Sequence, residues 1–107
     1  MAIRLDSIRP ASRRIRFGAP FTVFIEVKRI LGSSALRGTI TLSCAQDAGN
    51  VTPAGCEVRV PKGSERAVVP VEITLAGGGL TMAVIRATLT DGGPEQVQSC
   101  LLEVVDE

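Results

Sequence analysis

Histidine, tryptophan and tyrosine are absent from this sequence, and phenylalanine occurs only three times. The missing His removes the commonest general base and the commonest transition-metal ligand together. A Ser-His-Asp or Cys-His nucleophile arrangement is therefore excluded within the chain. The missing Trp and Tyr take away the rings on which bases stack and on which sugar platforms usually rest. Cysteine is scarce and odd in number, at Cys44, Cys56 and Cys100. Three thiols do not make a disulfide scaffold, and no Cys-x-x-Cys spacing occurs to suggest a zinc ribbon or a thioredoxin-like centre. Cys44 and Cys56 sit at facing ends of two candidate strands and can bridge a loop, although buried free thiols are the simpler reading. Cys100 lies on an apolar stripe and reads as core. No apolar run reaches the length of a membrane-spanning helix. The start, Met1–Asp6, lacks the apolar stretch of a signal peptide. Either a complete cytosolic or virion-associated product or a domain cut from a longer surface protein fits that start.

What is present is 107 residues, 45% apolar and 21% charged. That is the composition of one folded domain spanning 1–107, too apolar for a disordered chain. The net charge of +1 hides an uneven spread. Bases dominate up to Arg37 and acids dominate after it. Two arrangements are open: opposite faces that attract complementary partners, or strands from both halves that interleave and mix the charge.

Period-2 alternation in short runs is the dominant pattern. Val23, Ile25 and Val27 point one way in the run from Thr22 to Lys28; Ile40, Leu42 and Cys44 do so from Thr39 to Cys44. Cys56, Val58 and Val60 form a third stripe. Val69, Val71, Ile73 and Leu75 form a fourth, and Ala83, Ile85, Ala87 and Leu89 a fifth. Cys100, Leu102 and Val104 close the series between Gln98 and Val105. Such runs are half-buried antiparallel strands, one side to the core and one to water. Ahead of them, Ile3–Asp6 and Ile15–Phe17 read as a first strand split by a kink near Pro10. Turns are expected at Leu31–Ser34, Asp47–Asn50, Pro61–Ser64, Gly77–Gly79 and Asp91–Pro94, where Gly supplies φ > 0. Gly77-Gly-Gly79 reads as a hairpin turn, since no Lys-Ser/Thr follows to make a phosphate loop. Pro70, inside an otherwise good strand, predicts an edge whose amide faces outward. About seven strands with turns between them predict an all-β, antiparallel two-sheet sandwich with Greek-key connections.

The run Gly18-Ala-Pro-Phe-Thr-Val-Phe-Ile-Glu-Val27 is followed by a turn and then by Gly38-Thr-Ile-Thr-Leu-Ser43. Pro61-Lys-Gly-Ser64 leads into Val68-Val-Pro-Val-Glu-Ile73, and a late strand ends at Asp91-Gly92. This series resembles the bacterial and archaeal immunoglobulin-like domains, among them the cell-adhesion-related modules of surface proteins. The resemblance lies in strand spacing and turn residues over most of the chain, and without Trp the antibody-type Cys…Trp…Cys core is not matched. It implies an immunoglobulin-like sandwich used as a structural or binding module.

Candidate chemistry is sparse. The acids fall at outward positions or in turns, and no Asp-x-Asp-x-Asp loop suggests calcium. No catalytic residue, cofactor or metal is expected. Arg9, Arg13, Arg14 and Arg16 fall close together and can face phosphate backbones, acidic lipid or an acidic protein surface. Phe17 is the sole aromatic near them, which argues against nucleic acid. Phe24 lies on the polar side of its strand, Val68 on the outer side of another, and Met82 and Val84 oppose the Ala83–Leu89 stripe. Clustered on one face they would form an exposed apolar patch; otherwise a loop or the split first strand covers them. Arg9, Arg13, Arg14, Arg16, Phe24 and Pro70 are thus the candidate contacts. The partner expected is a protein or a second copy, with a carbohydrate-binding or accessory role of a secreted enzyme as the alternative.

Overall fold

The structure is a computed structural model that describes residues 2–45, 49–79, 81–90 and 94–105. Among these residues nine strands form: β1 (Ile3–Pro10), β2 (Arg14–Ile15), β3 (Pro20–Arg29), β4 (Leu36–Cys44), β5 (Gly49–Thr52), β6 (Gly55–Val60), β7 (Arg66–Gly77), β8 (Met82–Thr90) and β9 (Gln96–Val104). They build two sheets, in the orders β1-β3-β7-β5 and β2-β9-β8-β4-β6. The alternating stripes become the filling between them. Val23, Ile25, Val27, Ile40, Val58, Val60, Leu75, Ala83, Ile85, Ala87, Leu89 and Leu102 are all fully enclosed. No side chain among them carries a polar group, so desolvation costs nothing and the core is held by area burial alone. The thickness is set by aliphatic residues, because Phe17 and Phe21 only pack partly buried against its margin.

The count exceeds the expected seven for two reasons. The first strand splits as read, but the break follows Pro10, and a bulge between Leu5 and Ser7 bends β1 before it. The two-residue β2 then joins the other sheet, running parallel to β9 with Arg14 opposite Glu103 and Ile15 opposite Val104. The second addition is β5, in a stretch read as the end of a turn. Here the last residues of the 12-residue β7 offer a free ladder, and Val51 opposite Leu75 lends its side chain to the core. Asp47 and Ala48 of that turn lie outside the described residues.

Glycine supplies the positive φ that three of the connections demand, as at Gly32 (83°), Gly63 (79°) and Gly79 (78°). The connections themselves are not hairpins, however. β3 and β4, β6 and β7, and β7 and β8 lie in different sheets, so the Gly77–Gly79 stretch belongs to a crossing between layers, not to a hairpin. Of the expected turns, Asp91–Pro94 joins neighbouring strands of one sheet, β8 and β9, and its Asp-Gly-Gly lies outside the described residues.

Pro70 sits where a proline can. β3 pairs with β7 without a shift from Pro20 opposite Thr74 to Lys28 opposite Arg66. β5 reaches only Thr74–Gly77 on the other side, so Pro70 lies on an open edge where its missing N–H removes no ladder bond. The charge split of the sequence does not survive folding. β3, from the basic half, lies between β1 and β7, and Arg66 of the acidic half meets Glu26 of the basic half at 3.3 Å.

Candidate contact site

Three of the six candidate contacts fall into one row. On the outer face of the first sheet Arg9 of β1 stands opposite Phe24 of β3, which stands opposite Pro70 of β7. Val68, nearly half exposed, extends the apolar part of this row by one position along β7. The next row holds three cations, Arg4, Lys28 and Arg66, opposite one another. Asp6 takes Arg4 at 3.2 Å and Lys28 at 3.4 Å, and Glu26 takes Arg66, so that part of the face carries its own counter-charge. The cations of these pairs are exposed while Asp6 and Glu26 are partly covered, so solvent still screens each pair.

The arginines of the crossover do not act as one patch. Arg9 and Arg13 line a groove of about 460 Å³ together with Pro10, Met82, Leu101 and Glu103. Arg14 and Arg16 line another of about 500 Å³, with Pro20, Phe21 and Val105. The short β2 lies between them. It is pinned by Glu103 N donating to the Arg13 carbonyl at 2.7 Å and Val105 N donating to the Ile15 carbonyl at 2.9 Å. Arg14 also has a carboxylate, Glu103, 3.7 Å away. Arg9 and Arg13 form no ion pair among the described residues.

Apolar residues on outer faces are divided as well. Phe24 and Val68 lie on the first sheet. Met82 and Val84 lie on the second, where Val84 stands opposite Leu101 and Met82 opposite Glu103. Sequence reasoning passed over Leu101 and Val97, which are 56% and 51% exposed. The signal was present: if Cys100, Leu102 and Val104 face inward, Val97 and Leu101 face out. Ile30 and Leu31, exposed at the tip of the β3–β4 connection, were passed over too.

The chain matches no protein-family model and no curated protein.

The three cysteines are free thiols, partly buried against the core. Cys44 and Cys100 stand on either side of Ile85 in the cross-strand row, and Cys56 pairs with Ile40. A whole strand separates the first two, and Cys56 lies opposite a residue four positions before Cys44, so the loop-bridging alternative is not realised. Burial raises the thiol pKa of Cys56, and raises that of Cys100, beside the Arg9–Arg13 groove, to about 11. A thiol held protonated is a weak nucleophile.

Two polar devices were invisible in the sequence. Gln96 of β9 lays its amide along the edge of β1, accepting from Leu5 N and donating to the Ile3 carbonyl, both at 2.9 Å. Gln98 donates to the Leu5 carbonyl at 3.5 Å. Arg29 donates from Nε to the Ser64 carbonyl at 2.7 Å and from Nη2 to the Pro61 carbonyl at 3.0 Å. One base of the basic half is therefore a clamp on the β6–β7 connection.

Proposed function

We propose that the chain is an immunoglobulin-like sandwich with Greek-key connections that works by contact. It is a non-enzymatic structural or protein-binding module that docks on a larger assembly, as a spacer or adhesion domain of a surface protein or as an accessory protein on a shell. The strand order supports the immunoglobulin-like part: β1 and β2 divide one N-terminal strand between the two sheets, and β9 takes the second half alongside. The observation that carries the contact reading is the exposure of Met82 and Leu101 at one margin of the second sheet, in the groove lined by Arg9 and Arg13. Apolar side chains grouped with cations that have no ion pair among the described residues make a surface that gains by being covered. The chemistry available points the same way, since the chain has no His and its Cys100 thiol is held protonated. A sugar platform finds one outward ring, Phe24, and so has little to recommend it.

Photo-crosslinking in the organism that makes the chain tests this. A benzophenone side chain replacing Leu101 or Met82 should yield discrete protein adducts, whereas one replacing Thr39, on a polar part of the second sheet, should not. Equal adduct yield from all three positions would overturn the reading.

A further inference from the structure

A sandwich has four margins, and at three of them the free strand edge is guarded. The margin of β1 is bent by its bulge, ends in Pro10, and has its Ile3 and Leu5 backbone groups taken by Gln96 and Gln98. The length of β7 that β5 leaves open contains Pro70, and β5 itself is only four residues long. β6 carries Glu57 and Arg59, paired with each other at 3.3 Å. Bulges, prolines and charges are the ordinary means by which a sheet refuses another strand.

β9 is guarded less completely. Among the described residues β2 pairs only with Glu103 and Val104, and no strand is hydrogen-bonded to Val97–Leu102 on that side, although β1 lies beside this edge where Gln96 and Gln98 bond its backbone. Because Glu103 N and Val105 N point toward β2, strand parity turns the N–H and C=O of Val97, Ser99 and Leu101 to the same open side. These are three donors and three acceptors in a row with neither charge, proline nor bulge among them. Their side chains stand on the outer face, where Val97 and Leu101 are more than half exposed and Leu101 shares a groove with Met82. The groove holding Arg9 and Arg13 lies at the Leu101 end. Glu103, the acid in that groove, is already engaged by Arg14.

We infer that this edge binds an extended peptide segment of another protein, which adds to the second sheet as a strand along Val97–Leu101 and places a carboxylate between Arg9 and Arg13. Backbone pairing supplies the register, an apolar side chain of the peptide covers Leu101 and Met82, and the two guanidinium groups select an acidic residue at the end nearest β2. This rests on the contact reading above and names its partner's chemistry.

The test is a titration of the isotope-labelled full chain followed by amide NMR. The probes are two capped peptides of alternating Thr and Val, one ending in two Asp and the other in two Lys. The Asp peptide should shift the amides of Val97, Ser99 and Leu101 and slow their hydrogen exchange, and the Lys peptide should bind roughly tenfold more weakly. Arg9→Glu with Arg13→Glu should reverse that preference. Ser99→Pro, which removes an outward N–H and no β8 ladder bond, should abolish binding. Leu101→Thr keeps strand propensity and should weaken it, so a misfolded proline variant leaves the test intact. Silence of these three amides toward both peptides overturns the inference, as does equal affinity for both. Concentration-dependent shifts of the same amides without peptide would also overturn it, in favour of a second copy. If crosslinks at Leu101 persist while those amides stay silent, this inference falls and the contact reading stands.

Discussion

Gly55 opens β6, and an ideal Cβ built on it would lie 2.5 Å from the backbone carbonyl oxygen of Ile40 on β4. Real Cβ atoms essentially never come within 3.0 Å of such an atom, so the Gly55→Ala chain must move one backbone away from the other. The displaced region holds the Ile40–Cys56 and Thr41–Gly55 pairs, the end of the β4–β6 ladder. Overpacking of this kind costs about 1–3 kcal/mol. Replacing Gly with Ala also removes unfolded-state freedom, which returns about 0.4–1 kcal/mol. The net expected loss is about 1.5 kcal/mol. Gly38→Ala is the internal comparison. Its Cβ would meet Leu89 Cδ1 at 2.6 Å inside the enclosed core, where a side chain and not a backbone must give, so its net loss should be about 0.5–1 kcal/mol, smaller than that of Gly55→Ala. With neither Trp nor Tyr in the chain, unfolding by urea has to be followed by far-ultraviolet circular dichroism. Gly55→Ala should lower the midpoint by about 1 M urea at unchanged slope, or the melting temperature by about 9 °C. A Gly55→Ala chain as stable as the parent, or a larger loss for Gly38→Ala, would refute the argument from close backbone approach.

Gln96→Ala leaves Leu5 N and the Ile3 carbonyl without their partner and should cost about 2 kcal/mol; faster amide exchange at Leu5 is the direct readout. Arg29→Ala releases the Pro61 and Ser64 carbonyls and should cost about 1 kcal/mol. Tryptic cleavage after Lys62 should then accelerate, and an unchanged digestion rate would count against the clamp. Cys100 should alkylate with a pH midpoint near 11, not the ordinary 9.0, so that at neutral pH it holds up to about a hundredfold less thiolate than an open cysteine. Since burial raises this pKa on folding, the stability gained from the protonated thiol is full below pH 9.0 and disappears as pH rises through 11.

Much of the architecture was legible because alternation reports which side of a strand is apolar, and the inward residues of β3, β4, β6, β7 and β8 were all read correctly. Alternation does not report which strand lies alongside. That is why Phe24 and Val68 could not be separated in advance from Met82 and Val84, although they occupy opposite sheets. It is also why Gly77–Gly79 looked like a hairpin: a glycine satisfies positive φ equally well in a crossing between layers. β5 escaped notice because four residues around Asn50 are too few for a period, and their pairing depends on the overhang of β7. Arg9, Phe24 and Pro70 were singled out for separate reasons, and only the register of β1 and β7 on β3 sets them in one row. Gln96 and Arg29 act across 91 and 35 positions of chain, distances at which no local pattern carries information.

The two-residue β2 matters in a further way, for a domain that is pulled. It runs parallel to β9, so tension applied through residue 3 and residue 104 draws these neighbours in opposite directions along their common axis. The Arg13–Glu103 and Ile15–Val105 bonds then share the load and must break together, in shear. β1 is loaded along its own axis as well, so its pairing with β3 also resists in shear. Resistance to stretching thereby includes a clasp of two hydrogen bonds at the second sheet, and any strand added along β9 would lengthen that clasp.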